Sequence, residues 1–179
     1  MNREALCAHF RRGGLIAYPT ESCYGLGCDP LSPRAVRSLA RLKRRPASRG
    51  LILIADRFER FRPFILPLGE ADRSRVMATW PGPVSWILPA RRRAAWLRGG
   101  NPGLAVRVTA HPPAAQLCRE LGTALVSTSA NKSGGHPAKT ARECRKMFGA
   151  LVRVLEGRIG KRKRPSTLID LLSGNILRP

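Results

Sequence analysis

Hydroxyl side chains are concentrated where one apolar run of the sequence ends. The segment Ser127–Gly135 holds four hydroxyls, an amide and a lysine, and it directly follows the apolar residues Ala124–Val126. This pattern is typical of a strand that ends in a polar, glycine-terminated loop, whose backbone and side-chain donors can bind an anion. Similar polar strand ends occur at Ile16–Ser22 and Arg164–Asp170, and a basic segment, Lys43–Pro46, follows a predicted helix. Together they predict a site for a polar, anionic small molecule.

The charge of the chain is strongly positive. Its 179 residues include 33 Lys and Arg against 11 Asp and Glu, which gives a formal net charge of +22. A small anionic substrate needs only a few cations. The excess therefore predicts a polyanionic partner, RNA or DNA, bound through an electrostatic surface. The alternative is a basic, solvated surface with no specific partner.

The cysteines and the apolar runs indicate the compartment. The five cysteines are odd in number, and no pair has the two-residue gap of a zinc knuckle or a redox motif. We expect reduced thiols in a cytoplasmic protein. The N-terminus lacks the apolar stretch of a signal peptide, and no run approaches the roughly 18 apolar residues of a membrane helix. The sequence thus predicts neither secretion nor a membrane span.

Short apolar, β-branched runs alternate with helical patterns along the chain. The predicted strands are Leu15–Tyr18, Leu51–Ala55, Val84–Leu88, Leu104–Val108, Ala124–Ser127, Val152–Leu155, Thr167–Leu171 and Ile176–Arg178. The predicted helices are Arg3–Arg12, Pro33–Lys43, Glu70–Trp80, Pro113–Leu121 and Ala141–Phe148. Ser32 is an expected N-cap, and Thr140 with Glu143 forms a capping box. This alternation predicts a single α/β domain over residues 1–179 with a mixed sheet.

The common nucleotide and metal fingerprints are absent from the sequence. Gly160-Lys161 lacks the glycine spacing of a P-loop, and Pro30 stands where a dinucleotide fingerprint needs its third glycine. No Cys/His cluster indicates zinc, so we predict no metal held by the protein. The basic stretch Gly157–Arg164 is expected to be a mobile loop, since its charge opposes burial and its glycines loosen the backbone.

Eight short segments, in order and suitably spaced, resemble the YrdC-domain family of threonylcarbamoyl-adenylate synthases in its short, single-domain form. They are Tyr18–Asp29, Lys43–Pro46, Gly50–Ile54, Trp80–Val84, Leu104–Val108, Ser127–Gly134, Pro165–Thr167 and Ile176–Pro179. The resemblance covers about Leu15 to Arg178. It implies a twisted mixed sheet flanked by helices, with a concave, basic active-site groove.

The resemblance also implies an activity. The family combines ATP, L-threonine and bicarbonate into threonylcarbamoyl-AMP and pyrophosphate, and the product supplies the t6A modification of adenosine 37 in tRNA through a downstream threonylcarbamoyl-transfer complex. Mg²⁺ is expected on the triphosphate, because it usually keeps waters and phosphate ligands. The chain would then be a nucleotidyltransferase.

The resemblance assigns residues to both substrates. Residues expected to bind ATP are Lys43, Arg45, Ser129, Asn131 and Arg178, of which Lys43 and Arg45 are the expected catalytic pair. Residues expected to bind threonine are Thr20, Arg107, Ser127 and Ser166. Many family members have a histidine in the strand after the Lys-x-Arg motif that touches threonine, but Leu51–Ala55 contains none. The side chain that replaces it is not evident from the sequence.

Each assignment has a structural alternative. Lys43 and Arg45 are also typical of cations that favour a helix C-terminus, and Ser129 and Asn131 are typical of an ordinary turn. Glu21 suits a structural hydrogen bond better than general base catalysis. Two rival functions stay open, a non-catalytic RNA-binding or ribosome-assembly protein and an accessory domain of the carbamoyltransferase type. Pyrophosphate release that needs threonine and bicarbonate would separate the synthase from both.

Overall fold

The computed structural model describes residues 2–46 and 48–179. These residues form one sheet of nine strands and six α-helices. The strands are β1 (Leu15–Pro19), β2 (Tyr24–Gly27), β3 (Ile52–Ala55), β4 (Val84–Pro89), β5 (Gly103–Val108), β6 (Leu125–Ser129), β7 (Val152–Val154), β8 (Thr167–Asp170) and β9 (Ile176–Arg178). The helices are α1 (Arg3–Arg11), α2 (Pro33–Lys43), α3 (Glu70–Met77), α4 (Ala95–Arg98), α5 (Pro112–Leu121) and α6 (Ala141–Phe148). None of the helices described is long and apolar enough to cross a membrane.

The sheet is mixed, as the sequence predicts. Its strand order is β7-β1-β2-β6-β3-β5-β4-β8-β9. The pairs β1/β7, β3/β5 and β4/β8 are parallel, and the remaining neighbours are antiparallel. Strands from both halves of the chain therefore alternate in the centre of the sheet, which brings distant sequence motifs next to one another.

Local sequence signals set the helix boundaries. The Ser32 hydroxyl accepts from the Ala35 amide at the start of α2, and the Thr140 hydroxyl accepts from the Glu143 amide at the start of α6. Both predicted caps are confirmed. Helix α2 ends at Arg44, a non-glycine residue in the left-handed region with φ of 51°. That left-handed residue ends the helix directly after Lys43, and the Arg45 amide donates back to the Ala40 carbonyl at 2.9 Å.

The two faces of the sheet pack against different helices. Helices α1 and α5 cover one face through a core that includes Leu6, Phe10, Tyr18, Ile54 and Leu117, which are all buried. The other face carries the larger core, which contains residues of α2, α3 and α6. Because α1 and α5 cover only part of their face, the rest of it can form a binding surface.

The prediction missed one strand and one short helix. Strand β2 (Tyr24–Gly27) has glycine at two of its four positions, and glycine lowers strand propensity, so the sequence pattern did not indicate a strand there. Helix α4 has only four residues, too few to show a helical period. Helix α3 ends at Met77 rather than at Trp80, so its predicted end was wrong. The other predicted elements are confirmed to within two residues.

The close packing around the glycines of β2 can be tested by substitution. A Cβ at Gly27 would lie 2.6 Å from the Val126 carbonyl oxygen and 2.9 Å from Leu125, both in the neighbouring strand. We expect Gly27→Ala to lower the free energy of unfolding by roughly 1–3 kcal/mol, the usual cost of overpacking. Thermal denaturation should show a lower Tm. Gly100→Ala, where a Cβ meets nothing within 4 Å, is the matched control, and an equal Tm for both variants would contradict the close approach.

Candidate active site

The sheet register places the predicted polar residues in one row. Residues that pair directly across strands lie on the same side of a sheet. The pairs Gly25↔Ser129, Ile52↔Ser127 and Ile54↔Arg107 follow one another through β2, β6, β3 and β5. This row lies on the face that α1 and α5 partly cover.

A cleft opens along this row. Seven of the nine predicted site residues line it, namely Thr20, Arg45, Arg107, Ser127, Ser129, Ser166 and Arg178. The other two, Lys43 and Asn131, are not among the described residues that line the cleft, and both are buried. The fold thus brings the predicted ATP-binding and threonine-binding residues into one region. Two of them, Lys43 and Asn131, lie beneath the surface of the cleft.

Lys43 supports the loop that begins at Ser129. Its ammonium donates to the Ser129 carbonyl at 2.5 Å, to the Asn131 carbonyl at 2.8 Å and to the Asn131 Oδ1 at 3.0 Å. The side chain is only 2% exposed, although the sequence indicated a residue too polar for the interior. Burial, and then the charge of Arg45, lower the pKa of Lys43 to about 8. The ammonium therefore fixes the loop conformation from below.

Ser129 and Asn131 complete this loop through their own side chains. The Ser129 hydroxyl donates to Asn131 Oδ1 at 2.7 Å, and Asn131 Nδ2 donates to the Gly135 carbonyl at 2.6 Å. With Lys43 these bonds satisfy the polar atoms of the turn internally. Ser129 remains on the cleft wall, whereas Asn131 holds the wall in place.

Arg45 reaches the cleft from the opposite side of this loop. Its Nη2 donates to the Gly50 carbonyl at 2.5 Å, and its Nε donates to the Arg49 carbonyl at 3.3 Å. Burial, and then the charge of Arg49, lower its pKa. The backbone contacts hold the guanidinium along the cleft while leaving Nη1 to a ligand.

Glu21 and Arg107 form an ion pair at the bottom of the cleft. Arg107 donates from Nη1 and Nη2 to the two carboxylate oxygens at 2.6 and 3.0 Å, and the Thr109 hydroxyl donates to Glu21 Oε1 at 2.6 Å. Burial acts to raise the pKa of Glu21, but the bonds from Arg107 and Thr109 outweigh it and the pKa is lowered. Glu21 is thus a fixed anion, and the Arg107 fork that the sequence assigned to threonine faces Glu21.

Thr20 and Ser166 line the same cleft as this ion pair. The Thr20 hydroxyl donates to the Cys23 carbonyl at 2.8 Å, which leaves its oxygen free to accept. Ser166 Oγ lies 2.8 Å from Ser85 Oγ and accepts from Arg178 Nη2 at 3.2 Å, while Arg178 Nε donates to the Ser166 carbonyl at 3.0 Å. These bonds hold Arg178, the last residue of the three-residue strand β9, against Ser166, although Arg178 lies one residue from the end of the chain.

The basic stretch that the sequence predicted as a mobile loop is hydrogen-bonded to the site. The Gly160 amide donates to the Thr20 carbonyl at 2.9 Å, and the Arg162 amide donates to the Glu21 carbonyl at 3.0 Å. Arg162 and Arg164 line the cleft. The prediction treated this stretch as a mobile loop, and it missed both arginines as cleft residues. The Pro165–Thr167 motif just after them was the available signal.

The wall contributed by β3 is apolar. Leu51, Ile52 and Ile54 line the cleft in the region where the resemblance leads one to expect a histidine. Among the described residues of the lining, Glu21 is the sole carboxylate, and five arginines surround it. No group of three or more metal-binding side chains occurs in residues 2–46 and 48–179. The site therefore offers cations and hydroxyls rather than a metal cage.

Comparison with known proteins agrees with this architecture. The crystal structure of P. abyssi Sua5 complexed with L-threonine superposes with a TM-score of 0.86 and 30% identity, covering 95% of this chain and 51% of that chain. The present chain thus spans about half of that protein. The E. coli YciO structure, with a TM-score of 0.82 and 23% identity, shares the fold over 98% of this chain and 87% of its own.

Sequence comparison identifies closer relatives. A protein of Thiobacillus denitrificans named threonylcarbamoyl-AMP synthase is 64% identical over 174 residues, which are 97% of this chain and 93% of that protein. Its namesake in Methylobacillus flagellatus is 54% identical over 180 residues, the full length of both. Residues 8–179 match the Sua5/YciO/YrdC family model, described as "Telomere recombination". The chain therefore belongs to the Sua5/YciO/YrdC family.

Proposed function

We propose that this chain is an L-threonylcarbamoyladenylate synthase, a nucleotidyltransferase that uses ATP, L-threonine and bicarbonate. The observation that carries the proposal is the single cleft lined by Thr20, Arg45, Arg107, Ser127, Ser129, Ser166 and Arg178, residues expected to hold both substrates. The names of the relatives at 64% and 54% identity support the same activity.

The reaction needs alignment more than it needs a protein nucleophile. The threonine amine and bicarbonate give an N-carboxylate with loss of water, and one oxygen of that carboxylate attacks the α-phosphorus of ATP. The bond from that phosphorus to the bridging oxygen breaks, and pyrophosphate leaves with the electron pair. Both reactants are anions, so the site must neutralise charge and orient the attack.

The cleft arginines suit this task. Arg45, Arg162, Arg164 and Arg178 all line the cleft, so a polyphosphate bound there would meet several guanidinium groups. A guanidinium can bind two phosphate oxygens at once, which aligns as well as neutralises. Ser129 lies near Arg45 on the nucleotide side. The bound phosphates would replace water around these cations, which strengthens each contact.

Threonine is placed at the Glu21–Arg107 end of the cleft. Because Glu21 occupies the Arg107 fork, that fork serves to hold Glu21, and the threonine carboxylate meets the hydroxyls of Ser127 and Ser166. The Thr20 oxygen can accept from the threonine amine. Glu21 is a weak base because its pKa is lowered, so proton removal from the amine falls to bicarbonate or water.

Mg²⁺ enters with ATP in this proposal. The lone carboxylate of the described lining is already bonded by Arg107 and Thr109, so that lining offers no cage of carboxylate oxygens for the ion. Phosphate oxygens and water are the ligands that Mg²⁺ prefers in such sites. The ion would reduce the charge of the triphosphate while arginines contact its remaining oxygens.

The product and the charge imply further partners in the cytoplasm. Threonylcarbamoyl-AMP must pass to a transfer complex that modifies adenosine 37 of tRNA. The net charge of +22 supports direct contact with tRNA or another RNA, and it also supports the second candidate function, a non-catalytic RNA-binding protein on the same fold. Turnover distinguishes the two.

The first test is turnover by the purified chain. With ATP, Mg²⁺, L-threonine and bicarbonate we expect pyrophosphate release and a product with the mass of threonylcarbamoyl-AMP. Omission of threonine or of bicarbonate should abolish release. Release that is equal without threonine would contradict the synthase, and no release under any of these conditions would favour the non-catalytic RNA-binding alternative.

Arg45→Ala should weaken this reaction without unfolding the chain. Loss of a charged hydrogen bond to phosphate costs about 1.5–3 kcal/mol, roughly ten- to a hundredfold in kcat/KM for ATP. Arg57→Ala, which removes an exposed arginine outside the cleft lining, is the matched control. Equal kinetics for Arg45→Ala and the parent would exclude Arg45 from the ATP site.

ATP affinity should depend on the ionisation of Lys43. Its pKa of about 8 means that the free protein holds the ammonium below pH 8 and loses it as the pH rises above 8. The neutral amine has one donor fewer for the Ser129–Asn131 loop, so the loop that carries Ser129 on the cleft wall is held less firmly. We therefore expect the Kd for ATP to rise between pH 7 and pH 9.5, measured by calorimetry without bicarbonate. Lys43→Arg should flatten the curve, and a flat curve for the parent would contradict this role.

Binding to tRNA should be dominated by phosphate contacts. Arg92 and Arg93 are exposed and lie away from the cleft lining, so they are suitable probes of the outer surface. We expect log affinity to fall linearly with log salt, and the double variant Arg92→Ser/Arg93→Ser to reduce the slope by up to about 1.8, or 0.9 for each phosphate. Its pyrophosphate release should match the parent. Absence of binding even at low salt would show that the charge is a solvated surface.

A further inference from the structure

Tyr18 is a buried tyrosine whose hydroxyl reaches the cleft wall. It lies in β1, is 1% exposed, and packs in the core between the sheet and helices α1 and α5. Its hydroxyl donates to Ser127 Oγ at 2.7 Å, 109 residues further along the chain. Ser127 lines the cleft, whereas Tyr18 is not among the described residues that do so. The hydrogen bond therefore joins the apolar core to the binding surface.

The ring crosses a strand to make this bond. Strand β2 lies between β1 and β6, and Gly25 of β2 pairs with Tyr18 on one side and Ser129 on the other. A Cβ at Gly25 would lie 3.2 Å from Tyr18 Cζ and 3.3 Å from its hydroxyl oxygen. Glycine at this position provides the space through which the phenol passes over β2 toward Ser127.

We propose that Tyr18 is a positioning residue for threonine, and that its hydroxyl fixes the rotamer of Ser127 and directs the Ser127 proton into the cleft. The inference rests on the proposed function and deepens it, because it concerns the threonine end of the same site. Ser127 has one proton to donate and accepts from Tyr18, so its donor is left for a ligand. A hydroxyl held in this way binds a carboxylate without the loss of rotational entropy that a free hydroxyl undergoes on binding.

The surroundings of the phenol support its role as the donor. Burial is the main cause that raises the pKa of Tyr18, so the group stays protonated throughout the range in which the protein works. A phenol is also a more acidic donor than an aliphatic hydroxyl. The direction of the bond, from Tyr18 to Ser127, follows from both properties.

The test is a double-mutant cycle read by threonine binding. Tyr18→Phe keeps the ring and removes the hydroxyl, Ser127→Ala removes the acceptor, and a third variant combines them. Titration calorimetry should show a Kd for threonine that rises roughly five- to tenfold in each single variant, the value of one neutral hydrogen bond. The double variant should match Ser127→Ala within about twofold, because Tyr18 acts only through Ser127. In turnover, KM for threonine should rise likewise, while KM for ATP and kcat change by less than about twofold.

Thr79→Val is the matched control for a purely structural loss. The Thr79 hydroxyl accepts from the indole of Trp86 at 2.9 Å, in the core on the opposite face of the sheet. It should lower Tm yet leave the Kd for threonine at the parent value. An unchanged Kd in Tyr18→Phe, or effects that multiply in the double variant, would overturn the inference. A parent that binds threonine but releases no pyrophosphate would overturn the proposed function alone.

Discussion

The ion pair between Glu21 and Arg107 is the interaction on which the site depends. Glu21 joins the end of β1 to β5 through Arg107 and to the start of α5 through Thr109, and its carbonyl accepts from the Arg162 amide. Three separate parts of the chain thus meet at one residue, two of them at its carboxylate and one at its carbonyl. Breaking a buried pair by removing one partner typically costs about 3–5 kcal/mol, since the remaining charge is left uncompensated. The arginines of the cleft repel one another, and the negative charge of Glu21 offsets part of that repulsion in a chain whose net charge is +22.

A second constraint is the division of one sheet face between core and cleft. The same strands carry apolar residues beneath α1 and α5 and polar residues beyond them, as Leu125 and Ser127 of β6 show. Tyr18 lies at this boundary and has a suitable side chain for it, a large apolar ring with a polar tip. Because the hydroxyls of the cleft are fixed by residues of the core, a change in core packing on this face should alter substrate binding as well as stability.

Much of the fold could be predicted from the sequence, and the reason lies in local signals. The apolar runs and the caps at Ser32 and Thr140 gave all but one of the strands and five of the six helices. The strand order could not be predicted, because pairings such as β2 with β6 join residues about a hundred positions apart and depend on the whole sheet. Strand β2 was not predicted because its glycines weaken the strand pattern. One of them, Gly25, also leaves the space that the Tyr18 ring occupies.

The site was predictable as a set of motifs but not as a set of roles. The family resemblance implied that Lys43 and Asn131 would face a ligand, yet the fold buries both and turns them toward each other. Whether an ammonium meets a phosphate or a carbonyl depends on a turn, here the left-handed Arg44, that motif spacing does not reveal. Conversely, the sequence indicated that Arg162 and Arg164 belong to a solvent-exposed loop. In the structure, backbone hydrogen bonds from this stretch to Thr20 and Glu21 hold it at the cleft, which both arginines line. The geometry of the cleft thus depends on contacts between motifs, in which Lys43, Glu21 and Tyr18 bond to residues of its lining.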